Sequence, residues 1–289
     1  MINKTKKIGK FDISFIVVSF KNAAILNLCV KSILEELTIL KKKSGIRGEI
    51  LVVDSLAGEK TRDVAKKYMS ENRPVRYFPF KENTGFSKAV NKGIEKSRGD
   101  LLFILNSDII LTEGSLWPMI NYMRKNKKIG ILGPKLLNFD GSPQPSAFHF
   151  YTPEIILYRR TFLGKLKFGK KKLKNFVIDT KKTKNCPLSI NGWLMGSALL
   201  LRRDNLEKVG PMDDRYFMYF EDVDWCRRFI DAGYEIIYFP QSALFHYHGK
   251  QSATKHFWDA LFNRMTLIHI QSAVKYFWKF RNNKEVCRS

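Results

Sequence analysis

The chain has 289 residues, 44% apolar and 27% charged, an ordinary balance for a soluble globular protein with apolar content for one large domain or two small ones. Its 51 Lys and Arg against 27 Asp and Glu leave a net charge of +24, which calls for an anionic partner: nucleic acid, an acidic lipid surface or a phosphorylated substrate. No apolar run approaches the ~18 residues needed to span a bilayer, and the four scattered cysteines, Cys29, Cys186, Cys226 and Cys287, form no CxxC pair and read as thiols of a reducing compartment.

Residues 1–11 form a basic tail, MINKTKKIGKF, and the run after it, ISFIVVSF, is short and β-branched, without a cleavage pattern. It reads as a strand rather than a signal peptide, so a cytoplasmic location is expected. A strand at Ile13–Ser19 leads into an amphipathic helix from about Asn22, with Leu26, Cys29, Ile33, Leu37 and Leu40 at helical spacing and Lys41, Lys42, Lys43 and Gly45 as its stop. Then follow EILVVD (strand), a helix around 61–72, VRYFPF (strand), a helix around 86–97, and LLFILNSD (strand). This alternation predicts an α/β fold with a mostly parallel central sheet flanked by helices, whose ligands lie beyond the carboxyl ends of the strands. Two strands end there in aspartate, at Asp54 and Asp108.

Beyond Asp108 a helix over 114–126 and a strand at Ile129–Pro134 are expected, and regularity then fades through the turn-rich NFDGSPQPS. The segment 159–184 carries eleven Lys or Arg and one acid, Asp179, and reads as a basic insertion. One regular element is expected over 192-GWLMGSALLLRR-203, then a short helix, the acidic stretch 217-FMYFEDVDWCRR-228, and a strand at 234–239. The last part, 253–289, reads as a basic amphipathic helical tail with Phe257, Trp258, Leu261, Met265, Ile268, Phe277 and Trp278.

The ordered set VVSF (17–20), LVVD (51–54), NTGFSKAVNKG (83–93), LNSD (105–108), GWLMGSALLLRR, FMYFEDVDWCRR and Pro240-x5-His246 resembles family 2 glycosyltransferases of the bacterial rhamnosyltransferase-like group, over about 12–252. The resemblance implies a GT-A fold, a Rossmann-like nucleotide-sugar transferase architecture. It implies a donor site built from Ser19, Asp54, Asn83, Gly85, Phe86, Asn106, Ser107 and Asp108. Within it Asp54 would accept from the pyrimidine ring N–H, and the turn before the helix starting near Phe86 would suit phosphate. Glycine at 85 would let backbone approach the ligand. Asn106–Ser107–Asp108 stands at the family's metal-binding D-x-D position, with Asp108 and His246 as ligands of Mg²⁺ or Mn²⁺; neighbouring His248 is a decoy or an acceptor-side contact. Two positions depart from the family pattern: SLAGE after Asp54, and Lys21 where Asn is common.

The resemblance assigns Asp222 as general base, with Glu221, Trp193 and Gly196 along the acceptor and sugar cleft. Aromatic neighbours and Glu221 are both expected to raise the pKa of Asp222. The plainer reading of this acidic run, helix capping and pairing with Arg227 or Arg228, suits Asp224. What the resemblance implies is inverting transfer from a nucleotide diphosphate sugar, dTDP-rhamnose first and a UDP-sugar such as UDP-galactofuranose or UDP-N-acetylglucosamine next, to a lipid-linked glycan acceptor. The surplus charge would then meet an anionic membrane surface on the inner face of a bacterial plasma membrane. Two rivals from other classes are weighed against it: a nucleic-acid-binding protein, for which no known module is readable, and a sugar nucleotidyltransferase, which would want a glycine-rich basic phosphate loop after the first strand.

Overall fold

The computed structural model describes residues 11–183, 185–247 and 264–282. The expected alternation is present as β1 (Phe11–Ser19), α1 (Ala23–Ser44), β2 (Gly48–Asp54), α2 (Glu59–Ser70), β3 (Val75–Pro79), α3 (Gly85–Lys96) and β4 (Gly99–Asn106). β1 is buried from Ile13 to Ser19 because helices cover both faces of the sheet: Ile16 and Val18 enter one apolar core, Phe15 and Val17 the other. β1 pairs in parallel with β2 and β4, in a register that sets Ser19 beside Asp54 and Val18 beside Asn106. Three strand ends therefore meet at one edge.

The chain continues through β5 (Ile109–Leu111), α4 (Leu116–Lys125), β6 (Ile129–Leu137), β7 (Pro143–Gln144), β8 (Ala147–Phe148), α5 (Pro153–Arg160), α6 (Lys167–Phe176), β9 (Leu188–Ile190), β10 (Trp193–Leu194), β11 (Ala198–Arg202), α7 (Arg203–Val209), α8 (Glu221–Asp231), β12 (Glu235–His246) and α9 (Arg264–Lys279). The main sheet runs β3-β2-β1-β4-β11-β6-β12-β5, with β7 and β9 added at its side; β8 and β10 form a separate two-stranded sheet. It is mostly parallel. β11 opposes both β4 and β6, and β5 opposes β12.

Three expectations change. The single element over 192–203 is broken into β10 and β11, because Met195–Ser197 turns to serve the site: the Gly196 N–H donates to Asp222 and the Ser197 carbonyl accepts from the Asn106 N–H. The basic insertion is a folded helical hairpin rather than an irregular segment. Gly169 lets α6 pack on the turn after α5, since a Cβ there would lie 2.1 Å from the Leu163 carbonyl, and Phe176 is buried against Phe148 and Tyr151. The tail helix α9 is docked: Ser272 donates to the Met218 carbonyl, and Lys279 reaches Asp224 at 2.5 Å and Asp213 at 2.8 Å. His248, Phe257, Trp258, Leu261 and Cys287 lie outside the described residues. No helix among the described residues is long and apolar enough to cross a membrane.

Candidate active site

At the carboxyl edge of β1 and β2, Ser19 and Asp54 are both fully buried. Asp54 accepts from the Tyr77 hydroxyl at 2.9 Å and the Gly58 N–H at 3.2 Å, both at Oδ2. Burial pushes its carboxyl above the ordinary range against the pull of those donors. Ser19 Oγ and Asp54 Oδ1 are buried with no hydrogen-bond partner among the described residues. Neighbouring polar atoms left so are costly unless a ligand completes them, which fits a nucleoside pocket. Lys21, at the position where the family carries Asn, has φ 51°, a conformation that Asn adopts more readily than Lys.

The segment 83–93 packs against the loop that precedes α8. The Gly85 N–H is engaged by Asn83 Oδ1 at 3.1 Å and the Phe86 N–H by the Phe217 carbonyl at 2.9 Å. Two N–H groups at the start of α3 are therefore already held by protein acceptors. Gly85 has φ 78°, and a Cβ on it would lie 2.1 Å from the Phe217 carbonyl, so the space that glycine leaves is filled by backbone and not by ligand. Ser87 Oγ donates to the Tyr216 carbonyl at 2.8 Å, and Asn91 exchanges two hydrogen bonds with Met212. The motif clamps the segment 212–217 that leads into α8. Much of its polar side-chain chemistry thus goes to positioning the loop before Asp222.

The Asn106–Ser107–Asp108 turn is stitched down by the Asn106 N–H to the Ser197 carbonyl and the Ser107 N–H to the Val18 carbonyl. It meets His246 because Ile109 of β5 is the register partner of His246 on β12. His246 Nε2 lies 3.5 Å from Asp108 Oδ1, which is buried and makes no hydrogen bond among the described residues. The other ring nitrogen, Nδ1, is 2.8 Å from Gln144 Oε1, while Gln144 Nε2 donates to the His246 carbonyl. Donation from Nδ1 to Gln144 fixes the ring with its Nε2 edge toward Asp108, the orientation that metal-ligating histidines are given by their outer partners. Adjacent ligands of an octahedral ion at ~2.1 Å stand ~3 Å apart, close to this spacing. Among the described residues no third His, Cys, Asp or Glu joins the pair. Gln144 sits in the turn-rich NFDGSPQPS, where nothing local marks it.

Asp222 follows two consecutive left-handed residues, Tyr219 (φ 68°) and Phe220 (φ 69°), a conformation costing ~1–2 kcal/mol at each non-glycine position. Buried Phe220 holds the bend, with Tyr151 at 4.7 Å and Tyr276 at 5.3 Å between ring centroids. The bend aims Asp222 at the Met195–Ser197 turn, where Oδ2 accepts from the Gly196 N–H at 2.9 Å; Oδ1 accepts from the Val223 N–H, also at 2.9 Å. Phe86 closes the same corner, 3.5 Å from where a Cβ on Gly196 would stand.

Burial raises Asp222 to about 6, against the N–H groups of Gly196 and Val223 and the charge of Arg159. Glu221 is buried too, and burial together with the Asp222 charge raises its carboxyl well above the ordinary range. The two buried carboxyls stand next to each other, and each disfavours ionisation of the other. Arg159, the first residue of the basic insertion, donates to the Tyr151 hydroxyl with its guanidinium 5.6 Å from that ring. Its closeness to Asp222 had no local signal.

Trp193 packs in the core. It is buried, stacked on Phe148 at 4.6 Å, and its Nε1–H donates to the His149 carbonyl. It supports the aromatic cluster under Phe220. Asp224 is fully buried between Arg228 Nε at 2.7 Å and Lys279 Nζ at 2.5 Å. It pairs with Arg228 at helical spacing as expected and caps nothing.

The sheet order, the strand-end carboxylates and the buried acid on α8 define a nucleotide-sugar transferase architecture. Residues 14–210 match the profile of Glycosyl transferase family 2, and the chain belongs to that family. It is 31% identical over 185 residues to the N-acetylglucosaminyl-diphospho-decaprenol L-rhamnosyltransferase of Mycobacterium tuberculosis, 60% of this chain and 59% of that protein. It is 26% identical over 184 residues to the rhamnosyltransferase WbbL of Escherichia coli, covering 61% of each. The chain thus spans about three-fifths of the length of these relatives. Among solved structures, GalNAc-T7 with UDP, GalNAc and Mn²⁺ superposes with a TM-score of 0.61 at 17% identity, over 84% of this chain and 44% of that one. The mannosyltransferase PcManGT of Pyrobaculum calidifontis, with GDP-Man and Mn²⁺, gives 0.58 at 15% identity, over 93% and 66%. The fold is GT-A.

Proposed function

We propose that this chain is an inverting, metal-dependent glycosyltransferase of bacterial surface polysaccharide assembly. It moves rhamnose from dTDP-rhamnose to a lipid-linked glycan on the inner face of the plasma membrane. The observation that carries the reading is Asp222: a raised carboxylate whose hydrogen bonds come from backbone N–H groups, in a corner closed by Gly196 and Phe86. Rhamnosyltransferases among the relatives support the sugar, and the diphospho-decaprenol in one relative's name supports a lipid-linked acceptor.

In the reaction the acceptor hydroxyl oxygen attacks the anomeric carbon on the face opposite the diphosphate. The carbon–oxygen bond to the diphosphate breaks, the electron pair leaves with the diphosphate oxygen, and the hydroxyl proton passes to a carboxylate oxygen of Asp222. Base assistance of this kind contributes ~10²–10⁴-fold. Ser19 and Asp54 would bind the nucleoside. Asp108 and His246 would hold Mg²⁺ or Mn²⁺, whose positive charge, when bound, offsets that of the departing diphosphate.

The test is mass spectrometry of products from the purified chain with a polyprenyl-diphosphate-linked N-acetylglucosamine acceptor and a donor panel of dTDP-rhamnose, UDP-galactofuranose and UDP-N-acetylglucosamine. Transfer of rhamnose, abolished by chelator and restored by Mg²⁺ or Mn²⁺, is expected. Asp108→Ala should weaken dTDP binding more with metal than without. Transfer of only another sugar would reassign the donor, no transfer would remove the reading, and equal activity in chelator would remove the metal.

A further inference from the structure

The helix α9 carries an apolar stripe on its outer face as well as the face that docks on the core. Its buried face is Thr266, His269, Ser272, Ala273 and Tyr276, largely polar or small. Its exposed face carries Leu267, Ile270, Val274 and Trp278, spaced to fall on one stripe, with Val274 62% and Trp278 69% exposed. A helix of a water-soluble surface turns its apolar stripe inward. No acid occurs anywhere in α9, and Arg281 stacks its guanidinium 4.1 Å over Trp278.

The insertion repeats the pattern. Gly169, Leu173 and Phe176 turn inward, while Phe162 and Phe168 are 58% and 51% exposed beside Lys165, Lys167 and Lys170, all exposed. The two elements meet at one place: the Tyr151 ring touches Phe176 at 4.7 Å and His269 at 6.2 Å, and also Phe220, two residues before the base. Both patches are therefore anchored beside the loop that carries Asp222.

We propose that the insertion hairpin and the outer stripe of α9 together form a docking face for an anionic lipid bilayer, with the base loop between them. The observations select this occupant. Eleven Lys or Arg against one acid in the insertion would repel a second copy of the chain. A nucleic-acid backbone would match the lysines but leave the outward phenylalanines and Trp278 in water. A bilayer surface takes both, because anionic headgroups meet the cations while the apolar side chains enter the acyl boundary. The inference rests on the proposed transferase reading only for a lipid-linked acceptor arriving at that loop.

Vesicle binding reads it without turnover. The full chain should co-sediment with phosphatidylcholine vesicles containing a third phosphatidylglycerol, and only weakly with pure phosphatidylcholine. Replacing Lys170, Lys171, Lys172 and Lys174 by Gln should weaken this binding at least ~10-fold at low salt. Val274→Ser with Trp278→Ser should weaken it at least ~5-fold in low and high salt alike, since the apolar part is not screened. These side chains are exposed, so the melting temperature of each variant should match the parent and serves as the folding control. Absence of binding to anionic vesicles would overturn the proposal. So would apolar variants that bind as the parent does, a dimer dispersed by the Val274 and Trp278 replacements, or tight duplex DNA binding without vesicle binding. Vesicle binding by a chain that transfers no sugar would instead sink the transferase reading alone.

Discussion

At one end of α8, Asp222 accepts hydrogen bonds from the N–H groups of Gly196 and Val223 and forms no ion pair among the described residues, the charge of Arg159 acting on it from further off. Two residues along, on another side of the helix, Asp224 is held by Arg228 and Lys279 and is completely covered. The two carboxylates share a helix turn and an aromatic setting. What separates them is the counter-charge. N–H dipoles fix the orientation of Asp222 but do not overcome the burial that raises it, which leaves a group able to take a proton near neutrality. The cations on Asp224 convert the same side chain into a fastener between α8 and α9.

The largest expected effect comes from removing the carboxylate of Asp222. Asp222→Asn keeps the shape and the hydrogen bond from Gly196 but cannot take a proton, and should lower turnover at least ~10²-fold with donor affinity nearly unchanged. Equal melting temperature and equal dTDP titration curves for variant and parent are the controls. Full turnover in a folded Asp222→Asn would move the base to another residue and erase the distinction between the two sides.

Asp224→Asn should do the reverse. It leaves Arg228 and Lys279 facing a neutral amide, although Lys279 keeps Asp213 and Arg228 keeps the carbonyls of Val209 and Pro211. Breaking a buried pair costs ~3–5 kcal/mol when nothing replaces it, and less where such partners remain. A fall in melting temperature of roughly 5–10 °C is expected, with turnover per folded molecule within ~10-fold of the parent. Thermal unfolding read beside activity separates the two. A stable but inactive Asp224→Asn would show that the fastener side also carries chemistry.

Legibility in the sequence follows the same division. The strands of the first half were readable because burial on both faces leaves unbroken apolar runs, and their aspartate ends fall together once the sheet is parallel. The acidic run holding Asp222 stood out through its motif. Its surroundings did not: Gly196 within an apolar stretch hints at a break but not at its partner, Asp222, 26 residues away. Lys279 pairs with Asp213 and Asp224 across 66 and 55 residues, and a lone lysine in a basic tail says nothing about which acid it meets. Gln144 is fixed to His246 across 102 positions. The insertion was legible as basic but not as helical, because its inward residues are few among the lysines. Long-range pairings of single polar residues leave no periodicity behind.

The smallest expected effect tests which member of the buried acid pair holds the proton. Activity should rise with pH through about 6, where Asp222 loses its proton and becomes able to accept one, and level off above. If Glu221 is protonated there, Glu221→Gln replaces one neutral group by another. Turnover should then stay within a few-fold, and the acid limb of the pH–rate profile should keep its midpoint. If Glu221 instead carried a charge, removing it would relieve repulsion, lower the Asp222 pKa and move that limb to lower pH. The direction of movement is the readout. A stationary limb keeps Asp222 as the ionised, reactive side of α8, whereas a shift to lower pH would mean that the negative charge is shared between the two acids.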